Sequence, residues 1–261
     1  MPEQLPTERR RAILEMVRGS GAVRVIEAAH LLGVSDMTVR RDLDLLAREG
    51  AVRKVHGGAT LPADSTALEP GFSSKEGLQT SAKDAIAHEA AAMLFPGCSV
   101  ALNSGTTTYA LARRLVHVND LTVVTNSPRI AALLYDAPSE NQTVVTLGGV
   151  RTPSDALVGP LAEAGLRTLH VDLCFMGVHG MSERAGLTTP NMMEAEINRL
   201  FLEHCDRSVV VADSTKWGLT GLHHIADLSD VDTVVTDAGL TPAARSALGQ
   251  AVPDLRVVEV P

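Results

Sequence analysis

Ser35-Asp36-Met37-Thr38-Val39-Arg40-Arg41-Asp42-Leu43 reads as a helix built to lie against DNA. Ser35 suits an N-cap, because its hydroxyl can accept a hydrogen bond from an otherwise unpaired N–H of the first turn. At about 3.6 residues per turn, Val39, Leu43 and Leu46 share one face and pack inward. Met37, Arg40, Arg41 and Asp44 fall on the opposite face. Two adjacent arginines and a threonine in the first turns suit a major groove, where a guanidinium forks onto guanine or phosphate. Alone, the pattern also fits an ordinary amphipathic helix with a solvated charged face, so the flanking residues decide.

Those flanks supply the rest of a DNA-binding unit. Thr7 can cap a first helix through Arg18, with Ile13, Leu14 and Val17 inward and Gly19-Ser20-Gly21 ending it. Val23-Arg24-Val25 is short and rich in β-branched residues, as a strand would be. A second helix follows from about Ile26 to Leu32, and Gly33-Val34-Ser35 makes a tight turn into the recognition helix. That helix is expected to reach about Glu49, with Gly50 stopping it as a C′ glycine. Ala51 to Thr60 then alternates apolar and basic residues and bends at Gly57-Gly58, the pattern of a wing hairpin. Arg53, Lys54 and His56, with Gly57 at the bend, would meet the phosphate backbone. Ser35, Met37, Thr38, Arg40 and Arg41 would face the groove.

Taken in order, Val34 to Leu43, Leu46, Glu49-Gly50 and Val55-His56-Gly57-Gly58-Ala59 resemble the N-terminal signature of the DeoR family of bacterial transcriptional regulators. One departure is visible. The second helix has Glu27-Ala28-Ala29 where the family usually shows Glu-Leu-Ala, so looser packing is expected there without a change in DNA reading.

Charge divides the chain in the same place. The net charge is −8 over 261 residues, but residues 1–60 carry +2 and residues 61–261 carry −10. A mildly basic head on an acidic body fits a small DNA-contacting module joined to a part with other work, and the body would repel DNA. Hydrophobic residues make up 45%, enough for a sizeable core. No apolar run approaches the ~20 residues of a membrane span, and Met1-Pro2-Glu3-Gln4 lacks the order of a signal peptide. The three cysteines are far apart and form no CxxC pair, so neither disulfides nor zinc is expected, and a reducing cytoplasm is the expected home. Cys98 and Cys174 lie in apolar runs and read as core residues.

Residues 61–76 are rich in small, polar and turn residues and read as a linker. From residue 77 the pattern becomes α/β. Lys83 to Leu94 is alanine-rich and helical. After it, β-rich runs at Ser99–Leu102, Leu121–Thr125, Thr143–Leu147, Val171–Met176, Ser208–Ala212, Thr233–Thr236 and Leu255–Val260 alternate with helical stretches. The fold class is therefore α/β: an N-terminal winged helix-turn-helix over 1–60, then a doubly wound, mostly parallel α/β domain over 77–261.

Polar clusters follow the strands. They are Asn103-Ser104-Gly105-Thr106-Thr107-Thr108, Thr125-Asn126-Ser127, Gly148-Gly149, His179-Gly180 and Asp213-Ser214-Thr215-Lys216. Carboxyl ends of strands in an open α/β sheet form the ligand crevice. In the first cluster a glycine, three hydroxyls and a helix start place free N–H groups where an anion, phosphate above all, can sit. An ordinary Ser/Thr-capped helix gives the same local pattern, and Asp213 with Lys216 also fits a surface ion pair. The spacing is not GxxxxGK, so nucleotide hydrolysis is not implied. Thr189 as cap and Pro190 as first helical residue open a helix from which Glu194 can reach the crevice or face solvent. The nine histidines show no metal spacing, and His223-His224 sits in a Gly-bounded loop.

The body also resembles the DeoR family, on Ser104 to Thr107, Thr125-Asn126, Gly148-Gly149, Gly186-Leu187-Thr188 and Asp213 to Lys216. The resemblance then covers nearly the whole chain. It implies a phosphosugar-isomerase-like sensor domain, a repressor of a carbohydrate-use operon, and a phosphorylated sugar or related metabolite as effector. Lys83, Asn103 to Thr108, Thr125, Asn126, Gly148, Gly149, His179, Asp213 and Lys216 are the candidate effector residues. Position 103 is Asn where the family often has Asp, which puts in doubt a carboxylate contact to a sugar hydroxyl. Expected partners are double-stranded operator DNA and further copies of the chain, as dimer or tetramer, since two-fold operators need paired heads. No cofactor or metal is expected. The competing function is a sugar-phosphate isomerase carrying a DNA-binding head, for which no clear acid–base pair is visible.

Overall fold

The computed structural model describes residues 6–20, 22–48, 51–55, 57–60, 69, 71–137, 139 and 141–260. The chain separates into two compact units, Met1–Leu78 and Gln79–Pro261. Gly21, the Glu49-Gly50 helix stop, the wing residue His56 and 61–68 of the expected linker lie outside the described residues.

In the first unit, α1 (Pro6–Ser20) leads through β1 (Ala22–Arg24) into α2 (Val25–Leu32) and α3 (Asp36–Arg48). β2 (Arg53–Val55) and β3 (Gly58–Thr60) form the hairpin, and β3 lies between β1 and β2 in an antiparallel sheet. Helix α1 starts at Pro6, so Thr7 is inside its first turn and is not its cap; proline's preset φ favours that first position. Val25 opens α2 instead of ending β1, and its N–H donates to Gly57 O at 2.9 Å. Gly33 ends α2 at φ 65°, in the left-handed region where a Cβ is costly, which turns the chain sharply into α3. Ile13, Val17, Val39, Leu43 and Leu46 close over one core with Ala28 and Ala29. The stretch expected as linker ends in a short helix, α4 (Phe72–Glu76), whose Phe72 is buried. One large apolar side chain gives this otherwise polar segment a reason to fold.

The second unit opens with α5 (Thr80–Ala91), followed by β4 (Ser99–Leu102), α6 (Thr106–Leu115), β5 (Thr122–Thr125), α7 (Pro128–Tyr135) and β6 (Thr143–Thr146). A small ribbon of β7 (Val150–Arg151) and β8 (Leu157–Val158) precedes α8 (Pro160–Leu166) and β9 (Val171–Met176). Then come β10 (Gly180–Ser182), β11 (Gly186–Thr189), α9 (Met192–Glu203), β12 (Cys205–Val211) and β13 (His223–Ala226). The chain finishes with β14 (Thr233–Asp237), α10 (Pro242–Ala251) and β15 (Asp254–Val258).

Seven strands form one parallel sheet in the order β15-β14-β12-β9-β4-β5-β6. The seven β-rich runs of the sequence correspond to these strands. Because both faces are covered, residues of one strand alternate between two cores. On β4, Val100 and Leu102 face α5, α6 and α7, while Ala101 faces the side of α8, α9 and α10. The chain enters at β4, builds outward to β6, then returns to the other side of β4 as β9. That reversal places the crevice between the carboxyl ends of β4 and β9.

Two further details differ from expectation. His223 and His224 belong to β13 of a small antiparallel sheet, β10-β11-β13, and are not in a loop. Helix α9 is capped by Asn191, whose side chain accepts from Met193 N at 3.0 Å and Glu194 N at 3.3 Å. Thr189 is instead the last residue of β11, paired with His223, which keeps it and Pro190 out of the helix. No helix among the described residues is long and apolar enough to cross a membrane.

Candidate functional site

The first unit presents α3 and the wing. Ser35 Oγ accepts from Thr38 N at 3.2 Å and pairs with Thr38 Oγ1 at 2.9 Å, fixing the start of the helix. Met37, Arg40 and Arg41 are exposed, and neither arginine has an ion-pair or hydrogen-bond partner among the described residues. Between those arginines and the core, Asp42 turns inward. It is buried and receives Arg9 Nε of α1 at 2.6 Å. The Arg-Arg-Asp-Leu run therefore has two outward cations, one anchor and one core residue. Asp42 as an anchor is absent from a helical-wheel reading, because its partner lies 33 residues away.

Arg53 and Lys54 are exposed on β2. Lys54 forms an ion pair with Asp44 of α3, which holds the Asp44 carboxyl below its ordinary range. Gly57, at φ 80°, gives its carbonyl to Val25.

In the second unit, Gly105 precedes α6 and offers no side-chain cap, so the first amides of that helix have no intrahelical acceptor. A Cβ at Gly105 would come within 3.1 Å of Thr108 Oγ1, a reason for glycine there. The surrounding polar side chains fall into two groups.

The first group is committed to protein partners. Asn103 is buried, donates to Gly177 O at 2.8 Å and to Asn198 Oδ1 at 3.0 Å, and accepts from Gly177 N at 2.8 Å. It thus stitches β4 to β9 at the strand reversal. Thr108 Oγ1 donates to Asn103 O at 2.7 Å. Thr125 Oγ1 donates to Leu102 O at 2.7 Å, and Asn126 accepts from Ser104 N at 2.9 Å. The Ser104 hydroxyl lies 3.0 Å from the carbonyls of Ser154 and Asp155. Asp213 is buried and accepts from Thr215 N at 3.1 Å and from the Thr215 hydroxyl.

The second group is open. Thr106 and Thr107 at the start of α6 have hydroxyls without a protein partner among the described residues. Lys216, half-buried, has none for its ammonium either, so it forms no ion pair with Asp213. Gly148 and Gly149 are exposed at the ribbon; Gly149 has φ 132°, and a Cβ there would strike Val158 O at 2.3 Å. Lys83, buried on α5, and His179, half-buried just past β9, fall outside this open group, since each has an interaction of its own.

The structure adds residues that the sequence does not advertise. The loop between β7 and β8 carries Asp155, buried at φ 66° and paired with both Arg129 and Arg151. Burial pushes the Asp155 carboxyl up, but the hydrogen bonds and charges of the two guanidiniums outweigh it and leave it below the ordinary carboxylate range. Thr152 of the same loop donates to Glu194 Oε1 at 2.6 Å, and Thr189 donates to Oε2 at 3.4 Å. Glu194 is buried, not on a solvated face. Among the described residues, no group of three or more His, Cys, Asp or Glu is placed to hold a metal ion.

Residues 78–238 match the model of the DeoR C-terminal sensor domain, and residues 9–65 match the DeoR-like helix-turn-helix domain. The chain belongs to the DeoR family. This DeoR-family chain is 36% identical to an uncharacterized HTH-type transcriptional regulator, YulB, of Bacillus subtilis, over 94% of this chain and 93% of that one. It is 31% identical to the HTH-type transcriptional repressor CsqR of Escherichia coli, over 89% and 87% of the two chains. It is also 31% identical to an L-fucose operon activator of Haemophilus influenzae, over 87% and 90%. The DeoR-family chain is a helix-turn-helix transcriptional regulator, as these relatives are.

Proposed function

We propose that residues 1–60 bind operator DNA through α3 and the wing, and that residues 77–261 sense a phosphorylated sugar or related metabolite that alters operator affinity. Arg40 and Arg41 reach base edges or phosphates from α3, with Ser35, Met37 and Thr38 at the groove. Arg53, Lys54, His56 and Gly57 meet the backbone from the wing. The phosphate sits at the start of α6 against the Thr106 and Thr107 hydroxyls, with Lys216 as a counter-charge. The observation that carries this reading is the open α6 N-terminus beside the β4–β9 reversal, where the Thr106 and Thr107 hydroxyls have no protein partner among the described residues. The controlled genes are those of carbohydrate use, as the name of the L-fucose operon activator supports, and control is by repression, as the name of CsqR supports. Two or more copies act together, because a two-fold operator needs paired heads.

Anisotropy titration against the DNA upstream of the chain's own gene and its neighbours tests this, at about 150 mM salt with competitor DNA to suppress non-specific binding. Competitor-resistant binding that one sugar phosphate changes is expected. Absence of specific binding with and without sugar phosphates overturns the DNA assignment. Specific binding untouched by the whole panel overturns the effector class.

A further inference from the structure

We infer that Met37 reads the 5-methyl group of a thymine in the major groove, and so fixes one T·A pair of the operator half-site. This rests on the DNA face of α3 proposed above and adds a base to it. Met37 is 60% exposed and lies in the first turn of α3, the part of a recognition helix that meets base edges. The core side of the helix is set by Val39, Leu43 and Leu46, all buried. At about 100° per residue, Met37 points away from them, with Arg40 about 60° to one side and Arg41 about 40° to the other. The thioether therefore stands between two exposed guanidiniums, in the middle of the face that they define. Its root is held in place. Ser35 Oγ accepts from Thr38 N at 3.2 Å and pairs with the Thr38 hydroxyl at 2.9 Å, a closed turn that brackets residue 37.

The chemistry of the side chain selects the base. A thioether has no donor and only a weak acceptor, so it gains little from the amino, carbonyl and ring-nitrogen groups that base pairs show in the major groove. The 5-methyl of thymine is the apolar group there, and a flexible chain with a polarizable sulfur shapes itself to it. The neighbours on α3 do not compete for this role. Asp44, on the same face, is held by Lys54 of the wing. Leu45 is 41% exposed but lies about two turns further on, past the turns that reach base edges. Arg40 and Arg41 follow Met37 by about 4.5–6 Å along the helix axis, against roughly 3.4 Å per base step. The thymine thus lies one or two base pairs from the pair that an arginine contacts.

Anisotropy titration of the full chain tests this on the operator found upstream of its own gene or its neighbours, with each thymine of one half-site replaced in turn by deoxyuridine. That exchange removes the methyl and keeps every hydrogen-bonding group of the base. At one position it should weaken wild-type binding about fourfold, the size of one buried methyl group. Met37→Ala should bind the thymine and uracil forms of that site equally. Met37→Leu, still apolar, and Leu45→Ala should both keep the discrimination. Uracil tolerated by wild type at every position, or a half-site without thymine, overturns the inference and leaves the DNA face standing. A uracil penalty that Met37→Ala retains overturns it in the same way. So does a Met37→Ala variant that weakens operator and unrelated DNA alike with no uracil effect in wild type, which would put Met37 against the sugar-phosphate backbone. If wild type binds no upstream DNA in preference to competitor, the DNA assignment itself falls, and this inference with it. Should Met37→Ala not fold, Met37→Ser takes its place, and a retained uracil penalty in that variant overturns the inference.

Discussion

Replacing Asn103 by aspartate exchanges an NH2 group for an oxygen at a side chain that joins β4 to β9 beyond their ends. In the protein that NH2 donates to Gly177 O at 2.8 Å and to Asn198 Oδ1 at 3.0 Å. Asn198 can turn its amide and donate instead, so that contact survives. The Gly177 carbonyl cannot turn, and it would face a carboxylate oxygen in a position that is 2% exposed. Leaving one buried acceptor unpaired costs about 1–3 kcal/mol, and a buried charge aimed at a carbonyl adds to it, so we expect a loss of about 3 kcal/mol at pH 8. For a domain of this size that is roughly 6–12 °C in Tm. The loss should depend on pH. Burial beside an acceptor raises the aspartate's folded-state pKa, so its protonated form is the stable one in the folded protein. Stability is then present at low pH and lost as pH rises through the folded pKa. Thermal melts of Asn103→Asp at pH 5 and pH 8, followed by circular dichroism, should therefore lie closer to wild type at pH 5. An unchanged Tm at pH 8, or a larger deficit at pH 5, refutes the assignment of Asn103 as an obligate donor.

The head offers its own tests. Asp42→Ala removes the carboxylate that Arg9 binds in a largely buried pair and should cost about 3–5 kcal/mol, seen as early melting of the first unit; a shift below 1 kcal/mol contradicts the anchor role. Arg40→Ala should leave melting unchanged and weaken specific operator binding by about 1–3 kcal/mol, so equal affinity in a competitor titration removes it from the interface. Asp44→Ala releases Lys54 from its ion pair, and the slope of log K against log salt should steepen by about 0.9; a slope equal to wild type means that Lys54 does not reach phosphate. Asp155 has a depressed pKa, so its contribution is present above the unfolded value of 3.8 and is lost as pH falls through the folded one. The melts of Asp155→Asn and wild type should thus converge below about pH 4, with only a small gap above it because both arginines are well exposed to solvent; a gap that widens in acid contradicts this.

Much of the architecture is readable from local pattern. The strands of the parallel sheet announce themselves because burial on both faces selects apolar, β-branched runs such as Thr122-Val123-Val124-Thr125. The strands β10, β11 and β13 do not, since each is three or four residues long and its pairing, such as Leu187 with Ala226, is distant in sequence. The same distinction governs the site. Ser104 to Thr108 is visible because strand, glycine and helix start are contiguous. Which of those side chains are open to a ligand is not visible, because Thr108 and Asn103 are consumed by carbonyls that only the fold brings near. Glu194 and Thr152 lie 42 residues apart, and no spacing rule connects them. The Asn191 cap is missed because Thr189-Pro190 offers the same local chemistry two residues too early, and only the pairing of Thr189 with His223 decides between them.

The place of β4, first strand of its sheet and also a central one, bears on how the chain is born at the ribosome. Its β9 edge stays open until β9 has been synthesised, and the Ser99–Asp172 clasp that joins the two strands spans 73 residues. At about 5–20 residues per second, that edge is bare for roughly 4–15 seconds of translation. The helix-turn-helix closes much sooner, since its longest strand pairing, Ala22 with Thr60, is finished within the first 60 residues. Each nascent chain thus passes through a stage in which the helix-turn-helix is complete and the sensor domain is half a sheet with a sticky side. Pausing in that interval, by rare codons or starvation, would favour strand exchange between neighbouring nascent chains over correct closure.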